Sequence, residues 1–249
     1  MKKITIAFSI LLLHSLSSMA QTAIKAETIY TVSGKPIANG VVLVENGKIK
    51  AVGTASDVVI PSTYKLLQAR TVTPGLIDAR TLIGMSGVLN IPVDQDQLEK
   101  SAPIQPELRA IDAYNANETL VKYARGCGIT TIHTGHGIGA LISGQTMVAK
   151  TKQGTSDEVA MVPFSMLAMT FGPSVSGNFS SPGTRAKQVA MLRAEFIKAQ
   201  DYAKKLQLKD STKRPAYDMK MDAMSKLLSG EKKAMITANK SIDIMNAIR

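Results

Sequence analysis

Short β-branched and apolar runs open the chain, and longer runs with helical spacing close it. Ala26 to Val32 and Val41 to Glu45 are strand-like, and Asn46-Gly47 between Val41–Glu45 and Lys48–Val52 predicts a two-residue hairpin, because both turn positions favour positive φ. Gly34 to Gly40, with Pro36 and Asn39, is the expected connecting turn. The first seventy residues thus read as a small antiparallel sheet. From Thr71 to Ala79 an apolar strand carries Pro74-Gly75 at its entry and polar residues at its exit. Thereafter strands alternate with helices: a helix over Ile111 to Arg125 closed by Gly126, a strand at Ile129 to His133, and β-prone runs at Gln145 to Lys150 and Val159 to Thr170. Such alternation is the mark of βα units on a parallel sheet.

The last third is helical by period. After the Pro/Ser/Gly/Asn-rich loop 172–183, with Ser181 as expected cap, Val189, Leu192, Phe196, Ala199, Ala203 and Leu206 recur at spacings of three and four. Tyr217, Met221, Met224 and Leu228 repeat the stripe before Gly230, which suits the residue just past a helix end. A strand at Ala234 to Ala238 and a last helix capped by Ser241 follow.

The first residues form a different pattern. Lys2 and Lys3 precede a mostly apolar run from Ile4 to Leu13, and Ser18-Met19-Ala20 offers small residues for a signal peptidase. The run is about half of the ~20 apolar residues that a spanning helix needs. Cleavage after Ala20 and a periplasmic or secreted location are therefore expected, with no membrane attachment afterwards. Cys127 is the only cysteine, so no intrachain disulfide can form, and its place before an apolar strand predicts a buried small hydrophobe.

Charge changes this picture little. The chain has 30 Lys and Arg against 19 Asp and Glu, and the excess lies late, with 15 against 7 from Thr184 onward. With no Trp, five Phe and six Tyr, and no groove-reading motif, a nucleic-acid partner is not expected. The acidic loop of Asp94, Asp96 and Glu99 matches no complete calcium loop and reads as solvated surface. Gly135, Gly137, Gly139 and Gly144 lack the lysine and hydroxyl of a phosphate-binding loop and read as a flexible barrel loop.

Val41 to Gly53 (VVLVENGKIKAVG) and Val72 to Ala79 (VTPGLIDA), with Gln105 to Asn115 (QPELRAIDAYN) and Gly126 to Lys150, resemble the amidohydrolase superfamily, in particular its imidazolonepropionase-like metal-dependent hydrolases. The resemblance implies an α/β fold in which a small antiparallel β-sandwich-like domain precedes a (β/α) TIM-type barrel. With the expected signal peptide at 1–20, it divides the rest of the chain into the small domain at 21–73 and the barrel at 74–249. It also implies hydrolysis of non-peptide carbon–nitrogen bonds in an amide, lactam or cyclic imide, with a divalent metal such as zinc. A complete barrel takes about 250 residues. Three or four βα units fit here, so an incomplete, truncated barrel is expected, prone to self-association through its open edge.

The family ends its first barrel strand with Asp-x-His-x-His, placing two imidazoles on one metal. This chain has Asp78-Ala79-Arg80-Thr81-Leu82. Asp78 matches, but Arg80 and Leu82 stand where the histidines belong, and neither has a lone pair for a metal. Met235 to Asn239 likewise carries Thr and Asn instead of histidine. No cofactor is expected. The candidate site residues are Asp78 and Arg80, read as an ion pair at the barrel mouth or as a fixed charge for a carboxylate or carbonyl, with His133 and His136 at the end of the second barrel strand. A small-molecule substrate or ligand is the expected partner. A hydrolase with an altered site, a non-catalytic binding or vestigial homologue and a truncated product all fit these residues.

Overall fold

The computed structural model describes residues 21–89 and 91–249; the expected signal peptide and its cleavage site lie outside the described residues. Two compact units follow one another, dividing between Pro74 and Gly75.

The first unit is a four-stranded sheet of β1 (Thr22–Ile29), β2 (Ile37–Glu45), β3 (Lys48–Thr54) and β4 (Lys65–Val72) in the order β3-β2-β1-β4. Asn46 and Gly47 take φ of 53° and 72°, the doubly positive turn that the dipeptide predicts. Across β1, β2 and β3 the sheet is antiparallel, whereas β4 joins β1 in parallel. Ala23, Val41, Leu43 and Tyr64 form its main apolar cluster. The strand expected over 71–79 is really two. Thr73-Pro74-Gly75 interrupts it because proline has no N–H for a ladder, so β4 ends at Val72 and β5 (Leu76–Asp78) starts in the second unit.

The second unit is a curled, open, mixed sheet in the order β10-β9-β7-β6-β5, with β8 (Ala160–Val162) on β7. Here β6 spans Ile129–Gly135, β7 Ile142–Lys150, β9 Met166–Thr170 and β10 Lys233–Thr237. β5 and β6 are parallel, as are β9 and β10, while β7 runs antiparallel to both β6 and β9. Four strands therefore point one way, with a reversed strand inserted among them. This is a half-barrel built from βα units, and its four C-terminal ends lie along one rim.

Among the described residues the α-helices are α1 (Ala110–Ala113), α2 (Thr119–Gly126), α3 (Ser156–Val159), α4 (Pro173–Asn178), α5 (Arg185–Leu206), α6 (Met219–Leu228) and α7 (Ser241–Ile248). One cluster around Leu141, Ile142, Leu167, Leu192 and Met224 joins the sheet to α5 and α6. Another, around Ile132, Met147 and Val121, covers its other half. The helix expected over 111–125 breaks into α1 and α2, because the Asn115 side chain accepts the Asn117 amide and Glu118 then caps a fresh start at Leu120. The run 159–170 is not one strand: Thr155 and Glu158 form a capping box for α3, and Pro163 separates β8 from β9. α5 is capped by Thr184 instead of Ser181, and α7 begins after Lys240 with no side-chain cap. Leu206 and Leu228, at the ends of their stripes, are exposed. Cys127 is exposed as well, since it is the residue after α2 where the helix reaches the surface. Gly135 and Gly144 sit inside β6 and β7 and not in a loop. A Cβ on Gly135 would stand 2.7 Å from the Thr146 Cα, so the glycine permits close strand approach.

Candidate functional site at the strand ends

Asp78, Arg80, His133 and His136 all lie where β5 and β6 end. Regular pairing of β5 with β6 runs to Asp78, and the Thr81 amide still donates to His133 O at 3.0 Å. Beyond Asp78 the chain bends, and the expected Asp78–Arg80 ion pair does not form. Instead Asp78 Oδ1 accepts the backbone amide of Arg80 at 3.1 Å. The guanidinium turns the other way, donating from Nη2 to His136 O at 2.6 Å and from Nη1 to Thr81 O at 3.2 Å. Burial lowers the Arg80 pKa while Asp78 raises it, and a guanidinium starts so high that it stays charged. The result is a fixed cation held at the rim.

The two histidines do different work. His133 Nδ1 faces Ala79 O at 3.1 Å and Nε2 faces Thr146 Oγ1 at 2.7 Å. A carbonyl can only accept, so Nδ1 carries the proton and Nε2 faces the Thr146 hydroxyl as acceptor, the shorter of that hydroxyl's two contacts, the other being Met166 O at 3.2 Å. Burial, and to a lesser degree Arg80, lower the His133 pKa against the opposing pull of Ala79 O, in keeping with this neutral form. Its spare lone pair is thereby taken. His136 is 4% exposed, and neither ring nitrogen has a hydrogen-bond partner among the described residues. Burial first, and the Arg80 charge second, depress its pKa to about 4. The ring packs over Gly144, where an added Cβ would lie 2.8 Å from Nε2. Gly144, at φ 140°, is thus the glycine that makes room for the ring.

Leu82 carries its side chain near Gly137, and its carbonyl accepts the amides of Met85 and Ser86. Among the described residues, no three or more His, Cys, Asp or Glu side chains gather in a way that could hold a metal ion. The rim thus brings together a guanidinium, a leucine, a carboxylate on a backbone amide, His133 with both nitrogens in contact, and the buried His136 with neither.

Further along the rim, sequence reasoning missed a second polar cluster. Gln188 on α5 is 1% exposed; its Nε2 donates to Gly172 O at 2.9 Å and its Oε1 accepts the Gly172 amide at 2.9 Å. Asp243 of α7, also 1% exposed, takes Nε of Arg185 at 2.6 Å. In the last helix Asp243 is a first-turn acid, and Gln188 stands beside the predicted stripe without belonging to it. A clue was the break in an apolar face: a polar residue at a core position needs a partner.

No protein-family model matches the chain, and no curated protein matches it. Among solved structures, an amidohydrolase from Thermotoga maritima MSB8 superposes with a TM-score of 0.84 at 24% identity, over 92% of this chain. This chain spans 61% of that protein's length. Molinate hydrolase and the A. niger ochratoxinase align over only 26% and 29% of the chain, at 22% and 23% identity and TM-scores of 0.24 and 0.23, and cover 14% and 17% of those proteins. The long superposition shows that this chain shares the fold of that amidohydrolase over most of its length.

Proposed function

We propose that the chain is an exported protein of hydrolase ancestry whose rim binds a small anionic ligand on Arg80 in place of holding a divalent metal. The observation that carries this reading is the placement of the Arg80 guanidinium, pinned by Thr81 O and His136 O with further donors of its fork left over. A planar fork so held suits a carboxylate, and burial strengthens the contact. Carboxylates are one product of amide, lactam or imide hydrolysis, so the ligand class follows the chemistry of the resembled family.

Hydrolysis itself would need a water made nucleophilic. Arg80 cannot take a proton, the His133 lone pair faces the Thr146 hydroxyl, His136 is buried behind Gly144, and Asp78 has one oxygen committed to the Arg80 amide. These contacts favour binding over catalysis for this chain. Elemental analysis after dialysis against zinc is expected to find far less than one metal per chain. Leu82→His alone should not restore metal, because the Arg80 charge remains and repels a cation. Stoichiometric zinc that disappears when His133 and His136 are both changed to Ala would overturn the proposal. Calorimetric titration with short dicarboxylates is the direct test of the ligand class, with binding expected and its loss expected in Arg80→Gln.

Export rests on the first twenty residues. Intact-mass analysis of protein from the periplasm or medium should give a chain beginning at Gln21, and Met1 retained on exported material would count against it.

A further inference from the structure

Two short segments beyond β5, residues 82–87 and 94–97, return to the peptide that anchors Arg80. The carbonyl of His136 takes Arg80 Nη2 at 2.6 Å, and the amide of the same peptide, on Gly137, donates to Gln97 O at 2.6 Å. These two contacts and the span of one peptide bring the Gln97 backbone within about 7.5 Å of the guanidinium. Gly137 leaves room there: a Cβ on it would stand 3.4 Å from Gln97 Cγ and 3.6 Å from Leu82 Cδ2. The Gln97 side chain meets that of Gln95, its Nε2 donating to Gln95 Oε1 at 2.5 Å, and Ser86 Oγ donates to the same oxygen at 3.1 Å. A bridge between Ser86 and Gln95, with the Gly87 amide on Asp94 O at 2.8 Å, holds the two segments together.

This pairing leaves Gln97 Oε1 and Gln95 Nε2 shielded from solvent and without a hydrogen-bond partner among the described residues. Exchanging oxygen and nitrogen in both amides gives the same balance. Gln95 Nε2 then donates to Gln97 Oε1 and to Ser86 Oγ, and one donor and one acceptor are again left over. Shielded polar groups need partners. A neutral group with an N–H and a C=O of its own satisfies both, whereas a carboxylate has acceptors only and would leave the glutamine acceptor unpaired. Asp94 and Asp96, on either side of Gln95, form no ion pair among the described residues, and their charge opposes a second carboxylate.

We infer that Gln95 and Gln97 determine the specificity of the Arg80 site, selecting a carboxylate whose other end is a neutral amide over one whose other end is a second carboxylate. This rests on the reading of Arg80 as the anion's partner. Both residues are half-buried, and the ligand is met by rotation of their side chains, with the backbone contacts at Gly137 kept. The probes are succinate, its monoamide succinamate, and butyrate, which ends in a methyl group, each titrated calorimetrically into the full chain at pH 7. Succinamate is expected to bind about tenfold tighter than succinate, the difference between a paired and an unpaired buried group. Gln95→Leu with Gln97→Leu should abolish that preference while leaving butyrate affinity and the circular dichroism spectrum unchanged. Gln97→Lys, which puts a cation where the amide stood, should turn the preference to succinate, an outcome that a purely structural role for Gln97 does not produce. Equal binding of all three probes that is lost in Arg80→Gln, or tighter binding of succinate by the wild type, would overturn the inference and leave the reading of Arg80 standing. Binding of none of them would overturn that reading, and this inference with it.

Discussion

Between pH 6.5 and pH 4 the folded protein is expected to lose about 3 kcal/mol of stability through His136 alone, at about 1.4 kcal/mol per pH unit. In the unfolded chain His136 titrates at its ordinary value, whereas in the fold its pKa is depressed to about 4. Between those values the unfolded state takes up a proton that the folded state refuses, so each step down in pH favours unfolding. Above pH 6.5 both states are neutral and the effect vanishes; below pH 4 both are charged and it stops growing. His133 is shifted in the same direction and adds to the trend. Urea unfolding at pH 7 and at pH 4, on the wild type and on His136→Gln, separates this from carboxylate titration, which both proteins share. The wild type should lose the larger amount, and an equal loss in both would show that the buried ring is not the cause.

Removing the Gln188 side chain is the most damaging substitution expected away from the candidate site. Gln188→Leu deletes the pair of hydrogen bonds to Gly172 and the contact of Nε2 with Ser176 Oγ at 3.2 Å. A buried amide and carbonyl left unpaired cost about 1–3 kcal/mol each, so a total loss of about 3–5 kcal/mol is expected. The change also frees the turn after β9, where Gly172 takes φ of 106° with Asp243 close behind it. Chemical denaturation reads the loss directly. A loss under ~1 kcal/mol would mean that water enters and satisfies Gly172.

These two effects arise where the sequence is least legible. Gln188 and Asp243 look like ordinary helix-surface residues in the chain, and only the packing of α5 and α7 against the end of β9 turns them inward. The same holds for Arg80. Its identity, and that of Leu82, are plain in the sequence. Its partner is not plain, because the nearer Asp78 looked the natural choice. The bend after β5 puts Asp78 on the Arg80 amide and leaves the guanidinium to the carbonyl of His136, a residue 56 positions away.

What the sequence by itself determined is local. The Asn46-Gly47 turn follows from the φ values that those residues tolerate, the α6 end at Gly230 from glycine's freedom at φ 78°, and the break at Pro74 from a missing N–H, even though the expected strand ran across it. The long apolar stripe of α5 was readable for the same reason, since a 3.6-residue period is a property of a few turns of chain. Only the tertiary structure decided the reversed strand β7, the parallel edge strand β4, the burial of His136 against Gly144 and the outward turn of Cys127. Each of these depends on which distant segment becomes a neighbour. That choice is made by strand order and by the fit of side chains across the sheet, which no short window of sequence contains.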